Sequence, residues 1–384
     1  MGHVCQEFDD TTIFVKKPLL FVRHGVTVQI MKLRITAVLL FIAVFASACG
    51  SASTDLTGVA ADIYGGGCAD RVDETVTVYS GRTENLLAPV LDAFQCETGI
   101  DVEVRWGSST DLALLLAEEG DKTNADIFLS KSPGPVGFLE SKDLLGTISQ
   151  DVLDLVEPQN RSAEGRWIGF SGRKRVLVAN LDTVKDSELP ESVFELTDPI
   201  YKGRVAIAAT NGSFLDWFTV FRDQFGTDTA TEWLNAMVEN DAHSYANNRA
   251  IVSAVGLGEV DMGLVNHYYN YQVAAAEGES HRAQNHDLGD DDIGSLLIIT
   301  AASVTQTSEN DPVVGQLLSY LLSTPVQEYF TNETFEYPLA SGVALNPVLP
   351  KLAALEIGSV DFDALGGGFE ETLAIIEASG ILNQ

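Results

Sequence analysis

The chain has 384 residues, 45% of them hydrophobic and 20% charged, which is enough apolar material for two ordinary lobes and too much for a disordered chain. Its 23 basic side chains stand against 55 acidic ones, a formal net charge of -32. That excess repels nucleic acid and anionic membrane surfaces over most of the molecule and excludes a nucleic-acid role.

Residues 31–49 read MKLRITAVLLFIAVFASAC: two cations, a short apolar run and small residues before a cysteine. This is the pattern of an export signal, and the apolar run is too short to cross a bilayer as a helix. Ala46-Ser47-Ala48-Cys49 resembles the site at which bacterial lipoproteins are cleaved and acylated, so Cys49 is the expected lipid anchor. An ordinary secretory signal cleaved nearby is the alternative. Residues 1–30 precede the signal and make no sense in front of it, so Met31 is read as the true start and 31–48 as the signal peptide. Residues 49–73, rich in Gly, Ala and Ser, then read as a flexible tether. With Cys5 ahead of the signal and Cys49 acylated, Cys68 and Cys96 remain as a pair in an exported domain. They are either bridged or two free thiols, because sequence does not give their separation.

Residues 75–79 have the β-branched look of a buried strand, and 85–98 place Leu86, Leu87, Val90, Leu91 and Phe94 on one helical face before Gly99. The unit recurs with a strand at 101–106, a helix at 111–119 and a third strand at 125–129. A second block holds a strand at 204–209, the loop Asn211-Gly212-Ser213, and helices at 213–225 and 229–238. Strands alternating with helices predict an α/β fold with parallel-rich sheets, and two blocks predict two lobes. Apolar runs at 176–178 and 296–300 are the expected crossings between them, forming a hinge around a cleft. The expected division is a first lobe at 74–172, a second at 173–297, a return at 298–340 and carboxyl-terminal helices at 341–384.

Three features could carry chemistry. Tyr268, Tyr269 and Tyr271 sit where a strand at 259–264 ends. Phenolates are hard oxygen donors that suit a trivalent metal, but adjacent tyrosines point apart on a strand, so convergence needs a turn; core aromatics are the bland alternative. Asn211-Gly212-Ser213 at a helix start offers outward N–H groups to an anion, or is a plain N-cap. Residues 171–175, SGRKR, are the densest basic cluster, either offsetting an anion or forming a solvated strand edge. The acidic run 287–292 lacks calcium-loop spacing and reads as a solvated loop. No nucleophile with a base emerges, so no enzyme is expected, and an exported enzyme of unknown type ranks only as a third reading.

The segments TVTVYSGR, AFQCETGIDVEV, LAEEGDKTNADIF, GFSGRKRVLV, ATNGSF, SYANN, GLVNHYYNY and FEYPL resemble, in order and spacing, the ferric-iron-binding proteins of bacterial ABC importers. These belong to the transferrin-like periplasmic binding proteins, and the resemblance runs from about Thr75 to Leu382. It implies a monomeric two-lobed protein that takes Fe(III) as cargo with a synergistic anion such as phosphate or carbonate. The cargo then passes to a permease driven by an ATPase, with the lipid anchor as the link to the membrane. The family's tyrosine pair falls on Tyr268 and Tyr269, and its anion loop on Asn211, Gly212 and Ser213. Asn248 and Asn266 match anion contacts, and Arg173 looks like an anion or tyrosinate partner. Other ligand positions depart from the pattern: Thr83 stands for the usual histidine, Lys131 for the acidic ligand and Ala179 for an extra tyrosine. Either exogenous ligands complete the sphere, or Glu84 joins it, or the cargo is an iron chelate or an organic anion. The same scaffold binding a phosphorylated or carboxylated metabolite without iron is the runner-up.

Overall fold

The computed structural model describes residues 56–289, 292–352 and 368–384. The signal segment 31–48, the residues before it and the acylation candidate Cys49 lie outside the described residues.

Ten strands occur among the described residues: β1 Thr75–Ser80, β2 Asp101–Trp106, β3 Ile127–Ser130, β4 Trp167–Asn180, β5 Val205–Ile207, β6 His243–Ser244, β7 Met262–Asn266, β8 Ala283–His286, β9 Leu297–Val304 and β10 Tyr337–Pro338. They follow the order β2-β1-β3-β9-β4-β7-β5-β6, with β8 and β10 also paired to β4. The pairs of β1 with β2 and β3, and of β5 with β6 and β7, are parallel, as strand–helix–strand units require. β9 and β4 cross antiparallel.

β4 joins two sheets. Its first half, Trp167 to Lys174, pairs with β9 in the first lobe, and its second half, Arg175 to Ala179, pairs with β7 in the second. All fourteen residues are buried, including the basic ones. The cluster at 171–175 is therefore not a solvated edge but the middle of the hinge. Side chains alternate along a strand, so Arg173 and Arg175 face one side and Lys174 the other.

Helix Glu84–Thr98 buries Leu87, Val90, Leu91 and Phe94 against the first sheet. It stops at Gly99, whose φ of 75° and whose approach to the Asp70 carbonyl leave no room for a Cβ. That contact belongs to a segment expected as free tether. Instead, helix Val59–Ile63 buries Ala60 and Ile63, the Ala69 N–H donates to the Cys96 carbonyl at 2.8 Å, and Cys68 is bridged to Cys96 with Cα atoms 4.3 Å apart. The pair closes a loop of 28 residues. Cys68→Ser with Cys96→Ser is expected to cost about 2–4 kcal/mol of stability by freeing the unfolded chain. Urea midpoints of the double variant test this, and an unchanged midpoint contradicts it. In the second lobe Phe214, Trp217, Phe218, Phe221 and Trp233 interlock as an aromatic core.

Candidate functional site

β7 ends at Asn266, and helix His267–Glu277 starts with the next residue. This is the turn that a convergent tyrosine pair needs. In the first helical turn the rings of Tyr268 and Tyr269 stack with centroids 4.2 Å apart and planes 29° from parallel. Tyr268 is buried and Tyr269 partly so. Burial raises the Tyr268 phenol well above its ordinary range, and the neighbouring Tyr269 raises it further, while Arg173 and Arg82 pull it down. Tyr268 is therefore a neutral phenol near pH 7 until a cation displaces its proton.

Beside the tyrosines the polar residues at the strand ends form one network. Asn211 caps helix Gly212–Phe225, its Oδ1 accepting from the Ser213 N–H at 3.2 Å and hydroxyl at 2.7 Å. Asn248 Nδ2 donates to the same Oδ1 and to Ser213 Oγ, both at 3.1 Å. Asn248 Oδ1 accepts from the Asn266 N–H at 3.2 Å. Arg175 Nη1 donates to Asn266 Oδ1 at 3.1 Å and to Asn248 Oδ1 at 3.4 Å. The structure thus brings Asn211, Ser213, Asn248 and Asn266 together, and joins to them Arg175, which the sequence singles out only as part of the basic run 171–175. Its signal was the i, i+2 spacing from Arg173 on a strand.

Four cations crowd this network. Arg82, Arg173 and Arg175 are buried and Lys131 is half-buried. Burial, then Arg173 and Arg82, draw the Lys131 ammonium down to about 8. Burial, then Arg173, draw Arg175 down to about 9, partly opposed by Tyr269. Arg82 is ion-paired with Glu336 at 2.6 Å, and the Ser171 hydroxyl also donates to Glu336. By contrast, Nε and Nη2 of both Arg173 and Arg175, and Nδ2 of Asn266, are buried without a partner among the described residues. Such groups are costly unless something accepts from them. Lys174, on the opposite face, pairs with Asp287 at 2.9 Å, and its N–H donates to His267 Nδ1 at 3.0 Å. Asp287 stays exposed, as a solvated loop would have it, but it and Asp292 also serve as structural partners. Asp292 accepts from the Ser192 hydroxyl and from the Val193 and Gly294 N–H groups.

Glu84 lies exposed at the first turn of its helix. A carboxyl that the sequence reading missed is Asp216, buried in helix Gly212–Phe225 of the second lobe. It reaches the first lobe at the start of helix Pro133–Glu140, where a Cβ on Gly134 would stand 3.1 Å from its Oδ1. Burial pushes this carboxyl up to about 7, against the hydrogen bond from Ser132 and the charge of Arg173. An acid raised in the fold stabilises it below the unfolded pKa of about 3.9, and that contribution is lost as pH rises towards 7. Asp216→Asn is expected to flatten a decline of about 4 kcal/mol at most, read from urea midpoints across that window. An equally steep decline in the variant contradicts it.

Among the described residues no group of three or more His, Cys, Asp or Glu side chains is placed to hold a metal. The phenols and the unpartnered donors are therefore the features of this site.

Residues 122–363 match the model of a family described as bacterial extracellular solute-binding proteins. The chain is 30% identical over 319 residues to the Fe(3+)-binding periplasmic protein of Serratia marcescens, covering 83% of this chain and 94% of that one. It is 28% identical to the major ferric iron-binding protein of Neisseria meningitidis, covering 80% and 93%. Iron-bound HitA from Pseudomonas aeruginosa superposes with a TM-score of 0.75 at 32% identity, covering 80% of this chain and 99% of that one. The two-lobed fold is shared with apo ferric ion-binding protein A of Pasteurella haemolytica, at 22% identity and a TM-score of 0.70 over 80% and 98%. This chain belongs to the family of bacterial extracellular solute-binding proteins, among relatives that are ferric-iron-binding periplasmic proteins.

Proposed function

We propose that this protein captures ferric iron between its lobes through the phenolates of Tyr268 and Tyr269, together with an anion, and delivers it to the permease and ATPase of an ABC importer. The anion rests on Asn211, Gly212, Ser213, Asn248 and Asn266, and Arg173 and Lys131 balance its charge. The protein is exported and held to the outer face of the cytoplasmic membrane by a lipid on Cys49. The observation that carries the reading is the stacked tyrosine pair at the end of β7, set beside buried donors that lack acceptors. Two phenolates against Fe(III) leave one positive charge and several open coordination positions, which an anion fills. The names of the relatives support iron as the cargo.

The unpartnered Arg173 and Arg175 nitrogens also favour a second reading, in which the cleft takes a phosphorylated or carboxylated metabolite without iron. An iron titration followed by visible absorbance separates the two, because tyrosinate-to-iron charge transfer is coloured and an anion alone is not. The titration is run in buffer stripped of phosphate, carbonate and carboxylates, then with each restored. Colour is expected only after an anion is added. Equal, tight binding in stripped buffer would falsify the anion requirement, and a colourless protein under every condition would favour the metabolite.

A further inference from the structure

Helix Gly212–Phe225 carries two things into the cleft. Its first residues belong to the anion loop, and about one turn further in it presents Asp216. The helix is fixed within the second lobe. Trp217 Nε1 donates to the Ile293 carbonyl at 2.8 Å, Phe214 and Phe218 are buried against the Trp217 ring, and Arg222 Nη1 donates to Thr372 Oγ1 at 2.7 Å. Asp216 therefore moves as the second lobe moves.

The surface that receives it on the first lobe is equally fixed. In the loop after β3, Ser130 Oγ donates to the Ser132 carbonyl at 2.6 Å and the Lys131 N–H donates to Ser109 Oγ at 2.9 Å. Helix Pro133–Glu140 starts there, and among the described residues the side chain of its N-cap residue Ser132 makes no bond to the helix's own N–H groups. The Ser132 hydroxyl turns instead to the Asp216 carboxyl of the opposite lobe, which Arg173 of the hinge also attracts. A Cβ built on Gly134 would meet Asp216 Oδ1 at 3.1 Å and, outside its own helix backbone and chain neighbours, no other described atom within 4 Å. A carboxyl is favoured at the start of a helix, where the first N–H groups point outward. Second lobe, first lobe and hinge thus meet at one buried acid.

We infer that Asp216 is the catch that holds the lobes together: closing the cleft seats its carboxyl on Ser132 and the start of helix Pro133–Glu140, and opening the cleft breaks these contacts at once. The inference deepens the reading of the cleft as one that closes on iron, and rests on it for the cargo. Asp216 is coupled to Arg173, whereas Tyr268 is coupled to Tyr269, Arg173, Glu336 and Arg82. It is therefore a positioning residue and not a metal ligand. Because the anion loop and the catch share one rigid helix, cargo that seats on Asn211, Gly212 and Ser213 carries Asp216 to its place. Asp216 sets how long the closed cleft lasts rather than what the cleft binds.

The test compares Asp216→Ala, Asp216→Asn, Gly134→Ala and the double variant of Gly134→Ala with Asp216→Ala. Small-angle X-ray scattering of the iron-free proteins gives the radius of gyration, which rises as the lobes part. Loss of the visible band after excess EDTA is added gives the rate of iron release from protein loaded with iron and phosphate. Asp216→Ala is expected to expand the iron-free protein and to speed release about tenfold, the worth of one hydrogen bond to a charged group. The position of the band is expected to stay, since both tyrosines remain. Asp216→Asn keeps an oxygen that accepts from Ser132 and is expected to remain within about threefold of the wild type. Gly134→Ala presses a methyl on the carboxyl, so it is expected to speed release in the wild-type background and to have no effect in the Asp216→Ala background. Any strain an alanine meets ahead of Pro135 is the same in both backgrounds, so the difference isolates the contact. Unchanged scattering and release in Asp216→Ala, or additive effects of the two substitutions, overturn the inference and leave the tyrosine site standing. A shifted band in Asp216→Ala makes the carboxyl a ligand and overturns it as well. A wild type that takes up no iron removes the tyrosine reading, and the scattering of the iron-free proteins then decides the catch by itself.

Discussion

Tyr268→Phe is expected to shift and weaken the visible band of the iron-loaded protein and to weaken iron binding by at least a hundredfold, about 2.7 kcal/mol or more. Phenylalanine keeps the ring that stacks on Tyr269 at 4.2 Å and keeps the packing of a buried position, so the lost group is the hydroxyl alone. In the iron-free protein that hydroxyl is a neutral phenol, because burial raises its pKa and outweighs the pull of Arg173 and Arg82. A trivalent cation reverses the balance by binding the phenolate. Tyr269→Phe is expected to weaken binding as well and to shift the band, since one phenolate remains. The double variant is expected to be colourless. Chelator competition gives the affinities and an iron titration gives the band. An unchanged band in both single variants removes the tyrosine site.

How much of this was legible in the sequence depended on whether the signal was local. Helix Glu84–Thr98 and strand β2 were read nearly to the residue, because apolar periodicity and a terminal glycine are local facts. Helix Pro133–Glu140 was missed because its opening Pro-Gly-Pro reads as loop, whereas proline at the first turn is compatible with a helix. The basic run at 171–175 admitted two meanings, since strand edges and buried hinges can share a composition. Only the pairing of β4 on both sides shows that Arg173 and Arg175 are enclosed. The anion loop was visible through matched segments, but the Asn211–Asn248–Asn266–Arg175 network needs residues from four separate elements. No periodicity reports that. Glu336 sits in the matched segment FEYPL, but nothing in the sequence pairs it with Arg82, 254 positions away.

That partnership is where the largest loss of stability is expected. Arg82 follows β1, Glu336 precedes β10, Ser171 lies on β4 and Thr300 on β9. The chain turns at Phe335, which holds a left-handed φ of 59°, before Glu336 enters the interior. There Glu336 accepts from Arg82 Nη2 at 2.6 Å and from the Ser171 hydroxyl, which also contacts Thr300 Oγ1 at 2.6 Å. The paired side chains are 2% and 0% exposed, so neither ion has water to fall back on. Glu336→Gln is therefore expected to cost about 3–5 kcal/mol by stranding the Arg82 charge. Arg82→Met with Glu336→Leu is expected to recover most of that loss, because an apolar pair of similar volume needs no compensation. The cycle of Arg82→Met, Glu336→Leu and their double variant, measured by urea unfolding, gives the coupling directly. A loss below about 1 kcal/mol in Glu336→Gln would show that the guanidinium finds another acceptor.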